Sequence, residues 1–175
     1  VVPFAMLLNL ASVSGAEDFD LVYDMQAMAY SVDLDNVFDI WVGGEPVTVS
    51  GAGSDGFAPF EAVLSGPDDV QVLEPNADLP LDRAGSTIRW TPGNGDMVVA
   101  ELRRGGVNTV IRCMSDDSGS LEVPAAAFAW LPANVDSVTL DLRRVVSSEV
   151  MTDDPQAVVS VTLERISNGR NIGLD

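Results

Sequence analysis

The side chains of this sequence that could do chemistry are carboxylates. Asp33-Leu34-Asp35-Asn36 and Asp116-Asp117-Ser118-Gly119 each gather acids in a short polar run, and calcium takes carboxylate and carbonyl oxygens from loops of that composition. Neither run follows the EF-hand pattern, and the same residue types form ordinary turns with solvated carboxylates. Asp33, Asp35, Asp116 and Asp117 are the candidate metal ligands, with calcium the candidate ion and no other cofactor called for. Paired acids can also hydrolyse glycosides when they face each other about 5–10 Å apart across a cleft. No spacing here fixes such a pair, and three Trp and two Tyr give little aromatic lining for a sugar.

Other chemistries are excluded by absence. There is no His, which removes Ser-His-Asp and Cys-His nucleophiles, His-ligated zinc and imidazole proton shuttles. There is no Lys either, which removes Schiff-base and Ser-Lys chemistry. Gly43-Gly44 and Gly51-Ala52-Gly53 match neither a phosphate loop nor a dinucleotide fingerprint. A lone Cys113 forms no internal disulfide and, in the apolar run Val107–Met114, reads as a small buried hydrophobe. The residues point to a protein that is not an enzyme.

Charge narrows the partners. The chain has 27 acidic and nine basic residues, a net charge of −18. Phosphate binding draws on clustered Lys and Arg, so nucleic acid and anionic membranes are poor partners. All nine basic residues are Arg and the first is Arg83, so residues 1–82 carry acid with no base. Arg103, Arg104, Arg143 and Arg144 could form a basic stripe that meets the acidic half of a neighbouring copy, or could simply close the ends of strands.

The elements that must position these groups are strands. Short β-branched runs are punctuated by Gly, Pro, Asp and Asn, and helical periodicity is confined to one short stretch. Candidate strands are Phe19–Ala29, Val37–Val42, Pro46–Ser50, Pro59–Leu64, Val70–Leu73, Ser86–Thr91, Met97–Arg103, Thr109–Met114, Ser120–Val123, Ser137–Arg144 and Ala157–Ile166. Val98, Ala100 and Leu102 alternate with Glu101 and Arg103, and Val138, Leu140 and Leu142 with Thr139, Asp141 and Arg143. One buried and one wet face is the signature of an antiparallel sheet. Recurrence of strands every 8–12 residues or so predicts an all-β, antiparallel β-sandwich, Ig-like or jelly-roll-like. Pro124–Leu131 is the one helix expected, burying Phe128 or Trp130, while Trp41 and Trp90 follow apolar stretches and read as core. Residues 17–175 are expected as one domain, with Glu74–Leu81 crossing between its sheets.

Val1–Ala16 resembles the apolar core of a secretory signal that ends in small residues, without a basic leader. Val1–Val13 is shorter than the roughly 20 apolar residues of a membrane-spanning helix. As part of the folded protein it must be buried against protein. Alternation at Phe4, Met6, Leu8 and Leu10 suits a strand, which could complete a neighbour's sheet or serve as the first strand of its own domain.

The order and spacing of several small motifs over Val47–Ile166 carry a resemblance. These are Ser50-Gly51-Ala52-Gly53, Ala58-Pro59-Phe60-Glu61-Ala62, Pro67, Ile88-Arg89-Trp90-Thr91-Pro92-Gly93, Cys113, Asp116-Asp117-Ser118-Gly119-Ser120 and Val123-Pro124-Ala125-Ala126. This stretch resembles an uncharacterised group of predicted secreted or lipoprotein-type β-sandwich proteins of myxobacteria-like, high-GC bacteria. The resemblance implies export and β architecture, and it brings no catalytic residues. The expectation is a secreted or cell-surface structural subunit that self-associates into a filament or surface layer through its N-terminal arm. The alternative is a calcium-dependent adhesin or carbohydrate-binding module.

Overall fold

Alternating side chains form strands here because one set of them can be buried only if the other stays outside. In a computed structural model of the chain, residues 8–12, 19–20, 22–24, 29–31, 41–51, 58–76, 79–104, 110–152, 158–167 and 169–175 are described, with side chains from Trp41 onward. The protein is all-β, built of antiparallel sheets with one short helix among the described residues. The strands are β1 (Leu8–Ser12), β2 (Phe19–Asp20), β3 (Val22–Asp24), β4 (Ala29–Ser31), β5 (Pro46–Gly51), β6 (Phe60–Ser65), β7 (Val72–Glu74), β8 (Gly85–Trp90), β9 (Met97–Arg103), β10 (Val110–Ser115), β11 (Ser120–Pro124), β12 (Ser137–Met151), β13 (Val158–Ile166) and β14 (Arg170–Gly173). Helix α1 (Ala125–Phe128) follows β11.

Where one domain was expected over residues 17–175, the chain divides into two compact units. Val1–Gly66 with Val146–Leu163 make unit 1, and Pro67–Val145 with Glu164–Asp175 make unit 2. Each has its own apolar core, and no helix among the described residues is long and apolar enough to cross a membrane.

Unit 1 holds a sheet in the order β2-β1-β5-β6 and the hairpin β3-β4. In β6 the alternation is strict: Phe60, Ala62 and Leu64 are buried while Glu61, Val63 and Ser65 are exposed. The register Val47↔Leu64 and Val49↔Ala62 stacks buried residues of β5 and β6 on one face. That face meets Trp41, Val146, Val161 and Leu163 in a single cluster. Phe19–Ala29, expected as one strand, is instead β2, β3 and the start of β4, with Tyr23 paired to Tyr30.

In unit 2 the three-stranded sheet β11-β8-β7 shares a core with the sheet formed by β10, β9 and the first part of β12, which β14 also pairs; β12 from Val146 and β13 up to Leu163 belong to unit 1. Ile88, Trp90, Val72 and Val123 from the smaller sheet share one core with Val98, Ala100, Leu102, Leu140 and Leu142 from the larger. Fully burying such a side chain stabilises by about 1.5–3 kcal/mol, so this row dominates the unit. Helix α1 is shorter than Pro124–Leu131. Pro124 stays extended as its N-cap, and Phe128 is the aromatic that enters the core while Trp130 stands 79% exposed.

The stretch Glu74–Leu81 corrects an expectation. It links β7 to β8, which are antiparallel neighbours in one sheet, so it is a connection within a sheet and not a crossover between two. Candidate strand Val37–Val42 lies largely outside the described residues, and the part inside them, Trp41-Val42, is not strand: Trp41 is in a bend and the turn Gly43-Gly44 follows.

Candidate interaction surface

The charged side chains of unit 2 gather in two clusters, one on each face of the large sheet. The first is inside. Arg144 continues the inward row Val138, Leu140, Leu142 of β12, and its side chain is 1% exposed against 2% for Asp117. Arg144 Nε donates to Asp117 Oδ2 at 2.7 Å and Nη2 to Asp117 Oδ1 at 3.2 Å. Nη1 donates to the carbonyls of Asp68 and Asp69 at 3.1 and 2.7 Å, and Nη2 also donates to the Thr91 carbonyl. Asp117 accepts in addition from the Trp90 indole at 2.8 Å and the Gly95 amide at 3.0 Å. A buried charge is tolerable only when paired and saturated in this way.

The loop Pro92-Gly93-Asn94-Gly95 is glycine-rich for a steric reason. A Cβ at Gly93 would stand 2.5 Å from Arg144 Cζ, and one at Gly95 would stand 2.6 Å from Arg144 Cγ. The backbone must pass this close for Thr91 and Gly95 to reach the ion pair. Gly119, at φ +94, lets the turn after Asp117 reverse direction without the strain a side chain would add there.

The second cluster lies on the opposite face. Cross-strand register places Arg112 opposite Glu101 and Glu101 opposite Asp141. Two carboxylates side by side would repel, but three guanidinium groups surround them. Arg112 Nε donates to Glu101 Oε1 at 2.8 Å and its Nη2 reinforces that contact. Arg143 Nη2 reaches Glu101 Oε2 at 3.4 Å and Arg103 Nε lies 3.7 Å from the same oxygen. Arg103 Nε donates to Asp141 Oδ2 at 3.0 Å, and Arg143 Nη1 reaches Glu164 at 3.3 Å. Glu101 is thereby 2% exposed and Asp141 6%, on the face that alternation alone marks as wet.

Electrostatics follow from this packing. Burial alone would raise the pKa of Glu101, but the Arg112 hydrogen bond and the charges of Arg143, Arg112 and Arg103 outweigh it and hold the carboxyl below its ordinary value. Asp117 behaves alike: burial pushes up, while hydrogen bonds from Arg144, Trp90 and Gly95 and the Arg144 charge bring it down. Burial raises the Cys113 thiol. A carboxylic acid that gives up a proton in catalysis needs a raised pKa, and Glu101 and Asp117 are tuned the other way. They act as fixed acceptors.

The expected sites fare differently. The four arginines do not form a stripe: Arg144 is buried on the core face, whereas Arg103 and Arg143 are engaged with Glu101, Asp141 and Glu164 on the other. Arg104 lies 3.8 Å from Asp136. At the calcium candidates Asp116 and Asp117, both Asp117 oxygens accept hydrogen bonds from protein donors, and Asp116 is exposed. Among the described residues no cluster of three or more acids or thiols could hold a metal ion. Asp33, Asp35, Phe4 and Met6 lie outside the described residues. Leu8 and Leu10 lie in β1, whose five residues pair antiparallel with β5 of the same chain from Leu8↔Gly51 to Ser12↔Val47.

Sequence reasoning missed both clusters, since Glu101 and Asp141 sat in the wet half of clean alternations. The only signal was opposite charge at cross-strand positions, which becomes readable once the register is known. No protein-family model, curated protein or solved structure matches the chain.

Proposed function

We propose that this chain is a non-catalytic structural subunit of a secreted or cell-surface assembly, in which copies join by exchanging the N-terminal strand. The observation that carries the reading is the β1–β5 ladder. The hairpin β1-β2 meets the rest of its sheet through β1 alone, along five consecutive pairs with β5. An identical β1 from another copy would make the same backbone bonds, so exchange costs little in strand pairing. The acidic composition, with no Lys and a net charge of −18, keeps such subunits apart until a specific strand contact forms.

Cross-linking distinguishes exchange from closure within one chain. Asn9 faces Ser50 across the ladder, and facing residues of an antiparallel pair lie about 4.5–5.5 Å apart at Cα, within disulfide reach. Asn9→Cys with Ser50→Cys, in a Cys113→Ser background, is expected to give a ladder of covalent multimers on a denaturing, non-reducing gel. A product that is oxidised yet wholly monomeric would refute exchange.

A second reading, a carbohydrate-binding module, is favoured by Trp130. Its indole is exposed on a turn anchored by Phe128 and Leu131 and clamped by Arg83, which donates to the carbonyls of Pro132 and Val135 at 3.0 and 2.7 Å. A rigidly held, open aromatic face can stack on a sugar ring.

A further inference from the structure

Strand β10 ends its sheet, and among the described residues its backbone pairs with β9 alone. An edge of this kind offers a row of N–H and C=O groups to any strand that comes alongside. Proteins often guard an edge with charge. Here Arg112, the one charged residue within β10, turns back to Glu101, and it is flanked by Val110 and Met114, 50% and 66% exposed.

We propose that this edge is occupied by β10 of a second copy of the chain, paired antiparallel about a two-fold axis beside Met114. A continuous sheet must keep its core faces on one side. Ile111 and Cys113 face the core, while Val110, Arg112 and Met114 alternate onto the other side. Asp116 follows just beyond the strand's end, exposed, and continuing the alternation would put it on that same side. A slip of one residue would invert every side chain, so the axis falls on a residue with itself. Centred on Arg112, the pairing sets two like charges directly opposite, which is destabilising. Centred on Cys113, it sets Arg112 against Met114 and Asp116 against Val110, leaving each charge beside an apolar group. Centred on Met114, it sets Arg112 against Asp116 twice and Met114 on Met114.

That last register is complementary in both charge and apolar contact. Glu101 engages Nε and Nη2 of Arg112, which leaves Nη1 of the guanidinium fork for a second carboxylate. Asp116 is exposed, and its carboxylate makes no ion pair among the described residues. Isologous contact of this type closes as a dimer. It also places the meeting strand in unit 2, which holds 14 of the 27 acids with all nine Arg, instead of unit 1, which holds 13 acids and no base.

A residue on a two-fold axis cross-links to itself. In a Cys113→Ser background, Met114→Cys is expected to form a disulfide dimer on mild oxidation, whereas Val110→Cys, opposite Ser118 in this register, is not. Both sites are at least half exposed, so neither change disturbs the core. Sedimentation equilibrium of the unaltered chain should show the mass rising with concentration from 18.5 kDa toward twice that value. Asp116→Arg should weaken the association about tenfold, because two attractive pairs become two repulsive ones, with the circular dichroism spectrum unchanged. A constant monomer mass, or equal cross-linking at positions 110 and 114, would overturn the proposal. The cross-linking comparison bears on β10 alone, since β1 exchange uses other strands in the other unit, whereas a constant monomer mass would count against both contacts.

Discussion

Asp117→Ala removes one partner from the most deeply buried charge pair and leaves the other in place. Arg144 would keep its hydrogen bonds to the carbonyls of Asp68, Asp69 and Thr91 but lose its counter-ion at 1% exposure. Breaking a buried pair from one side costs about 3–5 kcal/mol. The Trp90 indole and the Gly95 amide lose their acceptor as well, at about 1–3 kcal/mol each where no water replaces it. Because these groups form one network their losses do not add, and we expect a total of about 4 kcal/mol. For a chain of this size that corresponds to a fall in Tm of roughly 8–16 °C, against a total stability of about 5–15 kcal/mol. Arg144→Met should cost a similar amount, and the double variant far less than the two together, with a coupling of about 2–3 kcal/mol. Urea unfolding followed by circular dichroism and by tryptophan fluorescence measures all three. A loss below about 1 kcal/mol for Asp117→Ala, or additivity of the singles, would show that the pair does not hold unit 2 together and would refute this account.

Acid should dissolve the same contacts. Glu101 and Asp117 have folded-state pKa values below their ordinary ones, so the stability they supply is complete above the unfolded value, about 4, and is lost as pH falls through the lowered folded values. Protonation of exposed acids relieves repulsion in a chain of net charge −18, an effect of opposite sign, so the informative quantity is a difference. The stability gap between the parent and Glu101→Gln should be constant from neutral pH to about 5 and shrink below about 4; a gap that widens in acid would contradict the assignment. Phe128→Ala should cost about 3–5 kcal/mol, while Trp130→Ala should stay within about 0.5 kcal/mol. If the carbohydrate reading holds, Trp130→Ala should nevertheless abolish retention on a glycan array, and undiminished retention would end it.

The strands of unit 2 were legible because their pattern is local. Met97–Arg103 was read to the residue, and Ser86–Thr91, Thr109–Met114 and Ser120–Val123 to within one residue at either end. Strand β14 was not read, since Arg170-Asn171-Ile172-Gly173 has one buried residue and its strand character comes from pairing with β12. Strand β12 was read only to Arg144 because the alternation breaks where Arg144, Val145 and Val146 are buried in succession. That break is also where the chain passes from unit 2 into unit 1. The fate of the arginines was illegible for a related reason: Arg143 and Arg144 are adjacent and therefore on opposite faces of one strand. Sequence proximity suggested a stripe, whereas the period of two forbids it.

The charge asymmetry changes meaning once the chain is divided by fold. Read linearly, the boundary is Arg83, with acid alone before it. By unit, residues 67–82 and their five acids belong with the arginines, while Val146–Leu163, with three acids and no base, returns to the acidic unit. All nine Arg therefore lie in one unit, where Arg103, Arg112, Arg143 and Arg144 are bound to acids that the fold has buried. The core of unit 1 consists of Trp41, Val47, Val49, Phe60, Ala62, Leu64, Val146, Val161 and Leu163, and among the described residues of that unit no acid is buried. Within unit 2, Arg89, Arg104 and Arg165 pair instead with acids that are not buried, Glu74, Asp136 and Asp69. Unit 1 thus holds 13 acids and no basic residue of its own, and in the proposed assembly the repulsion between these acids sets the condition under which copies can approach. A contact that forms through the backbone of β5 or β10 meets that condition, because strand pairing is directional and short-ranged while the repulsion is screened beyond about 8–10 Å in physiological salt.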